Sequence, residues 1–90
     1  MSEIIKLSTP IKVDGVAVDT LEMREPLVED NLAALSSGKS QAAFEVDLFA
    51  SLCGVPPAEF RKMTFKDYKR VQNAYEKITT DEEGTSAPLD

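Results

Sequence analysis

The sequence has no histidine and one cysteine, Cys53. The first absence removes imidazole acid–base chemistry and histidine-ligated zinc. The second removes a disulfide scaffold. Any metal site would have to be an oxygen cage for calcium or magnesium, and the acidic run Asp81-Glu82-Glu83 has neither the length nor the spacing of an EF-hand loop. No apolar stretch approaches the roughly 20 residues a membrane span needs. The start, Met1-Ser2-Glu3-Ile4-Ile5-Lys6, lacks the basic and apolar regions of a signal peptide. With no export signal, an unpaired cysteine fits a reducing cytoplasm. Phosphate-binding glycine loops and nucleophile elbows are missing too. The carboxylate pairs Glu29-Asp30 and Glu82-Glu83 are sequence neighbours, not groups held apart as an acid–base pair requires. The residues offer no catalytic centre, no cofactor site and no metal site. They describe a protein that acts by binding.

What is there suits one small domain. The chain has 90 residues, with 42% apolar and 29% charged side chains and a net charge of −6, which is ordinary for a globular protein. The charge is segregated. Residues 1–56 carry nine acids and four bases, residues 57–78 six bases and three acids, and residues 79–90 four acids. The chain therefore reads as an acidic body, a basic helical region and an acidic tail. Apart from simple solvation, two roles suit the basic region: it meets an acidic partner, or the tail folds back over it. Nucleic acid is a poor partner, because a −6 protein is repelled by phosphates.

The fold expected is α+β, an N-terminal bulged β-hairpin followed by a small bundle of three to four helices. Ile5, Leu7, Thr9, Ile11 and Val13 alternate with polar residues as a half-buried strand does. Asp14-Gly15 suits a type I′ turn. The second strand begins in phase with Val16 and Val18, then slips by one to Leu21 and Met23. A bulge at Asp19-Thr20, opposite Pro10, would restore the apolar face by setting Leu21 opposite Thr9 and Met23 opposite Leu7. Pro26, Glu29 and Asp30 suit the start of a short first helix bearing Leu32 and Leu35 and ended by Ser36-Ser37-Gly38. Ser40 caps a second helix that Gly54 ends. Its apolar residues (Ala42, Phe44, Val46, Leu48, Phe49, Ala50, Leu52, Cys53) cover an arc of about 240° at about 100° per residue. A helix packed on one side needs little more than about 100°, so this one has neighbours on both flanks. Phe44 and Leu48 are the candidate contacts with a client or a second subunit; core beneath the first helix is the alternative. Cys53 reads as a small buried hydrophobe. After Val55-Pro56-Pro57, a helical turn runs through Arg61. Thr64 and Asp67 make a capping box for the last helix, and Met63 and Tyr68 its hydrophobic staple. Phe65, Tyr68, Val71, Tyr75 and Ile78 form its apolar stripe; Lys66, Arg70 and Lys77 form a basic ridge that would take an acidic client segment. Residues 1–79 read as a single domain, and residues 80–90 as a disordered acidic tail.

The order of these features resembles the small tail assembly chaperones of Mu-like and related contractile-tailed bacteriophages and prophages. The resemblance rests on Val13-Asp14-Gly15-Val16, on Leu21-Glu22-Met23-Arg24-Glu25-Pro26, on Leu52-Cys53-Gly54-Val55-Pro56-Pro57-Ala58-Glu59-Phe60 and on Met63-Thr64-Phe65-Lys66-Asp67-Tyr68. It covers Ile4 to Ile78. It implies a non-catalytic assembly factor of the bacterial host cytoplasm that binds the phage tape measure protein, keeps it soluble while the tail tube assembles, and is absent from the mature virion. The tail tube protein, a longer frameshifted form of the chain and a homo-oligomer are further partners that the resemblance admits. Two other classes compete: a small regulatory or nucleic-acid-binding adaptor using its last helix, and a structural tail-completion protein.

Overall fold

The computed structural model describes residues 2–35 and 40–80, with only the backbone of residues 34 and 35. Strands β1 (Ser2–Val13) and β2 (Val16–Arg24) form an antiparallel hairpin. Helices α1 (Val28–Leu35), α2 (Gln41–Cys53), α3 (Pro57–Phe60) and α4 (Phe65–Ile78) follow. The α+β architecture is the expected one. Residues 36–39, which hold the expected stop of α1, and residues 81–90, most of the expected acidic tail, lie outside the described residues.

Asp14 and Gly15 both take positive φ, 54° and 81°, as a type I′ turn requires. Val13 pairs with Val16 and Ile11 with Val18, as expected. Beyond that point the expected register is corrected. Leu21 pairs with Ile5 rather than Thr9, and Met23 with Glu3 rather than Leu7. Between the pairs Ile11–Val18 and Lys6–Thr20, residues Leu7 to Pro10 of β1 face Asp19 alone, so β1 carries the extra residues, not β2. The one-residue slip in apolar phase requires an offset of odd length; it does not say which strand supplies it. What settles it lies on α4, where a carboxylate takes up the amides that the bulge releases (below).

The hairpin lays Ile5, Leu7, Ile11, Leu21 and Met23 against Leu48, Phe49, Ala50 and Leu52 of α2, with Val55, Phe60, Val71 and Ala74 completing the core. Phe49 is at its centre, its ring 4.9 Å from that of Tyr75 and 5.9 Å from that of Tyr68. Phe60 meets Tyr68 edge-on. Helix α2 starts where Ser40 Oγ accepts the Ala43 amide and stops at Gly54, whose φ of 68° favours a residue without Cβ. The Val55 amide then bonds back to the Ala50 carbonyl, closing a Schellman-type end. The wide apolar arc of α2 has neighbours on several sides, namely α1, β2, α3 and the aromatic rings of α4.

Candidate partner-binding surfaces

Helix α4 is positioned by polar groups as much as by its stripe. Thr64 Oγ1 accepts the Asp67 amide at 3.2 Å, the expected cap. The reciprocal half of the expected capping box is replaced. The Asp67 carboxylate does not return to its own helix end but accepts the Ser8 amide (2.8 and 3.0 Å), the Ser8 hydroxyl (3.0 Å) and the Thr9 amide (3.1 Å) in the β1 bulge. Asp67 is fully buried. Burial by itself raises a carboxyl pKa, but here the hydrogen bonds from Ser8 and Thr9 outweigh it, and the group is held below its ordinary value. Asp67 is thus a buried anion that satisfies the backbone donors of an irregular strand.

One turn on, Arg70 Nη1 donates to the Lys6 carbonyl at 2.8 Å, and Lys77 Nζ lies 3.2 Å from Glu3 Oε2. As α4 runs from 67 to 77 its partners run from Thr9 back to Glu3, so the helix lies antiparallel along β1. Between them is an open groove of about 400 Å³, lined by Glu3, Ile4, Ile5 and Lys6 on one side and Arg70, Asn73, Ala74 and Lys77 on the other. Two members of the expected basic ridge, Arg70 and Lys77, therefore wall this groove while tied to the hairpin; Lys66 is exposed in the first turn of the helix. Phe65 departs from its expected place in the buried stripe. It is 70% exposed, stacks on Tyr68 and lies under the Lys69 ammonium, 5.5 Å from its ring. At the first residue of α4 its side chain projects ahead of the surface that the hairpin covers.

Helix α1 is different in character. Asp30 takes the Leu27 amide at 2.7 Å and pairs with both terminal nitrogens of Arg24 at 2.9 and 3.0 Å, which drives its pKa down to about 2, the Arg24 hydrogen bond being the largest cause. The helix begins at Val28, after Pro26 rather than on it. Leu27, Val28 and Leu32 are 59, 78 and 60% exposed. The expected contribution of Leu32 to a packed stripe is thus not made; the side chain of Leu35 lies outside the described residues. Exposed apolar side chains at Val28 and Leu32, four apart, share one helix face.

Of the α2 candidates, Leu48 is buried at 4% exposure and belongs to the core, while Phe44 is half-buried at its margin. The half-buried Cys53 thiol is pushed up to about 12 by burial, and so is unreactive at neutral pH. Tyr68 donates to Glu45 Oε1 at 2.7 Å, and burial, with that bond, raises its pKa. No group of three or more acidic or cysteine side chains among the described residues is placed to hold a metal ion. No helix among them is long and apolar enough to cross a membrane.

Sequence reasoning missed two features. One is the exposed face of α1, which its apolar composition disguises as core. The other is the role of Asp67, whose signal, an acid at the third helical position, is the same for a capping box as for a tertiary anchor.

No curated protein and no solved structure matches the chain. A family model does match, over residues 4–79: Phage tail assembly chaperone proteins, E, or 41 or 14. The match spans the hairpin and all four helices, the same stretch over which the motifs at the turn, the Gly54–Pro57 corner and the α4 cap are spaced, and the chain belongs to the family of phage tail assembly chaperones.

Proposed function

We propose that the protein is a non-catalytic chaperone that binds the tape measure protein in the host cytoplasm, keeps that long chain soluble while the tail tube polymerises, and leaves before the virion is complete. Family membership supports the tail assembly role and phage tail proteins as partners. The observation that carries the binding mode is the solvent-facing apolar side of α1, formed by Val28 and Leu32, with exposed Leu27 just before the helix. Such a face, next to the helix that carries half-buried Phe44, is what an amphipathic helical client needs to cover its own apolar stripe. The wide arc of α2 does not supply that surface through Leu48, which is core; Phe44 remains the α2 contribution.

Co-expression with the tape measure protein of the same phage tests this reading. The client should stay soluble and co-purify with the wild-type chain. The double variant Val28→Glu, Leu32→Lys should lose that co-purification while its unfolding free energy changes by less than about 0.5 kcal/mol, as for surface changes generally. Retention of the client by the folded double variant would refute the α1 surface. Mass spectrometry of purified tails should find no copies of the protein; stoichiometric copies would instead mark a structural tail component. A gel-shift assay at low salt should show no nucleic-acid complex.

A further inference from the structure

Two surfaces of the chain are left uncovered, and each carries the charge that the other lacks. On α1, Val28 and Leu32 stand four residues apart and Glu29 three before Leu32, so apolar and acidic side chains share one side of the helix. Val28 and Leu32 are 78 and 60% exposed, and Glu29 is exposed beside them. Residues 25–35 hold three acids, Glu25, Glu29 and Asp30, and no base. Arg24, the base just before them, is held by both carboxylate oxygens of Asp30.

At the start of α4 the signs are reversed. Phe65 is 70% exposed, and Lys69, four residues on, lies over its ring. Lys66 is exposed on the same side, three residues before Lys69. Neither lysine has a carboxylate partner among the described residues. Asp67, the one acid between them, is buried and taken up by the β1 bulge. Each patch is thus a few apolar atoms framed by one sign of charge.

Charge decides what can cover them. Two α1 faces set against each other bring acids onto acids, and two α4 starts bring bases onto bases, which disfavours both pairings. The opposite pairing, α1 with the start of α4, joins apolar to apolar and acid to base. The exposure of Val28, Leu32 and Phe65 shows that this pairing is not made within one chain. A second copy supplies it.

We infer that copies of the chain associate head to tail, α1 of one seated on the first turn of α4 of the next, with Val28 and Leu32 against Phe65 and Glu29 facing Lys66 and Lys69. The contact is heterologous, so a pair still has one α1 and one α4 start open. Copies therefore add in a row unless the rotation between them closes a ring. The few side chains on each side make the contact small, and small contacts are weak and transient. Both surfaces belong to this chain, so the association needs no client; a helical client that takes the α1 face displaces the neighbouring copy.

The purified chain without client provides the test, and its outcome is independent of the chaperone reading. In low salt, where exposed charges are least screened, the weight-average sedimentation coefficient should rise as the chain is concentrated toward about 1 mM. NMR shifts at Val28, Glu29 and Leu32 should move together with those at Phe65, Lys66 and Lys69. Glu29→Lys alone, and Lys66→Glu with Lys69→Glu, should each weaken the association about tenfold. All three positions are exposed, so the fold is kept. Mixing the two variants should restore association, because the unaltered α1 of one meets the unaltered α4 of the other. A wild-type chain that stays monomeric throughout that range would overturn the proposal. So would self-association that the Lys66→Glu, Lys69→Glu chain retains in full, which marks an α1-to-α1 dimer, or two monomeric variants that stay monomeric when mixed.

Discussion

Helices α4 and α1 are held in opposite ways. Helix α4 buries Val71 and Ala74 and is anchored to a strand some sixty residues away through Asp67, Arg70 and Lys77. Helix α1 is held at its start by an exposed Arg24–Asp30 pair only six residues apart, and it turns apolar side chains to solvent. One helix is built into the body by long-range polar bonds. The other is a short element, and isolated short helices are marginal in water, so its stability comes from contact with α2 and from whatever it meets. The body and the offered surface are therefore separable by mutation.

The comparison is broken most severely at its common centre. Phe49→Ala should cost about 3–5 kcal/mol, because it empties the site against which Tyr68 and Tyr75 pack; chemical denaturation measures it, and a loss below about 1 kcal/mol would remove Phe49 from the centre of the core. Asp67→Ala follows. It removes the acceptor of the Ser8 and Thr9 amides and of the Ser8 hydroxyl, and should cost about 1.5–3 kcal/mol, the worth of hydrogen bonding to a charged group. The same carboxylate gives the body a pH dependence. Its pKa is lower folded than unfolded, so its stabilisation is complete above the unfolded value of about 3.9 and is lost as pH falls through the folded value. Urea midpoints should decline on acidification below about pH 4, and Asp67→Asn should flatten that decline; an unchanged slope in the variant would assign it to other groups.

Gly54→Ala should be smaller, about 1 kcal/mol, because the residue must hold φ of 68° with a Cβ, although no atom lies within 4 Å of that Cβ. The smallest global effect is expected at α1. Asp30→Asn removes the pair with Arg24 and the strongest acceptor for the Leu27 amide. Faster amide exchange confined to α1, with α4 unchanged, is the expected result; equal acceleration in both helices would show that the two are coupled.

How far the fold could be read from sequence differed along the chain for physical reasons. Turns and caps were legible, because Asp14-Gly15, Ser40, Gly54 and Thr64 act on backbone atoms within a few residues. The hairpin phase was half legible. Alternation demanded an odd offset between Val18 and Leu21 but was silent on the strand that supplies it. The candidate surface was the least legible part. Leu48 and Phe44 occupy one helix arc, yet one is core and the other half-buried, and Val28, Leu32 and Phe65 look like core residues but face solvent. Apolarity states that a side chain gains by burial; only the arrangement of neighbours states whether burial is available.

By itself, then, the sequence determined the kind of elements and their order, the hairpin turn and the caps of α2 and α4, together with the absence of histidine chemistry and the separation of charge along the chain. These depend on local backbone preferences and on composition. The tertiary structure alone decided that β1 bulges rather than β2, that Asp67 serves a distant strand, that Arg70 and Lys77 wall a groove beside β1, and that α1 carries the exposed apolar face. Each of these is a contest between groups far apart in the chain, settled by which donors and apolar surfaces are still unsatisfied once the hairpin and α4 have met.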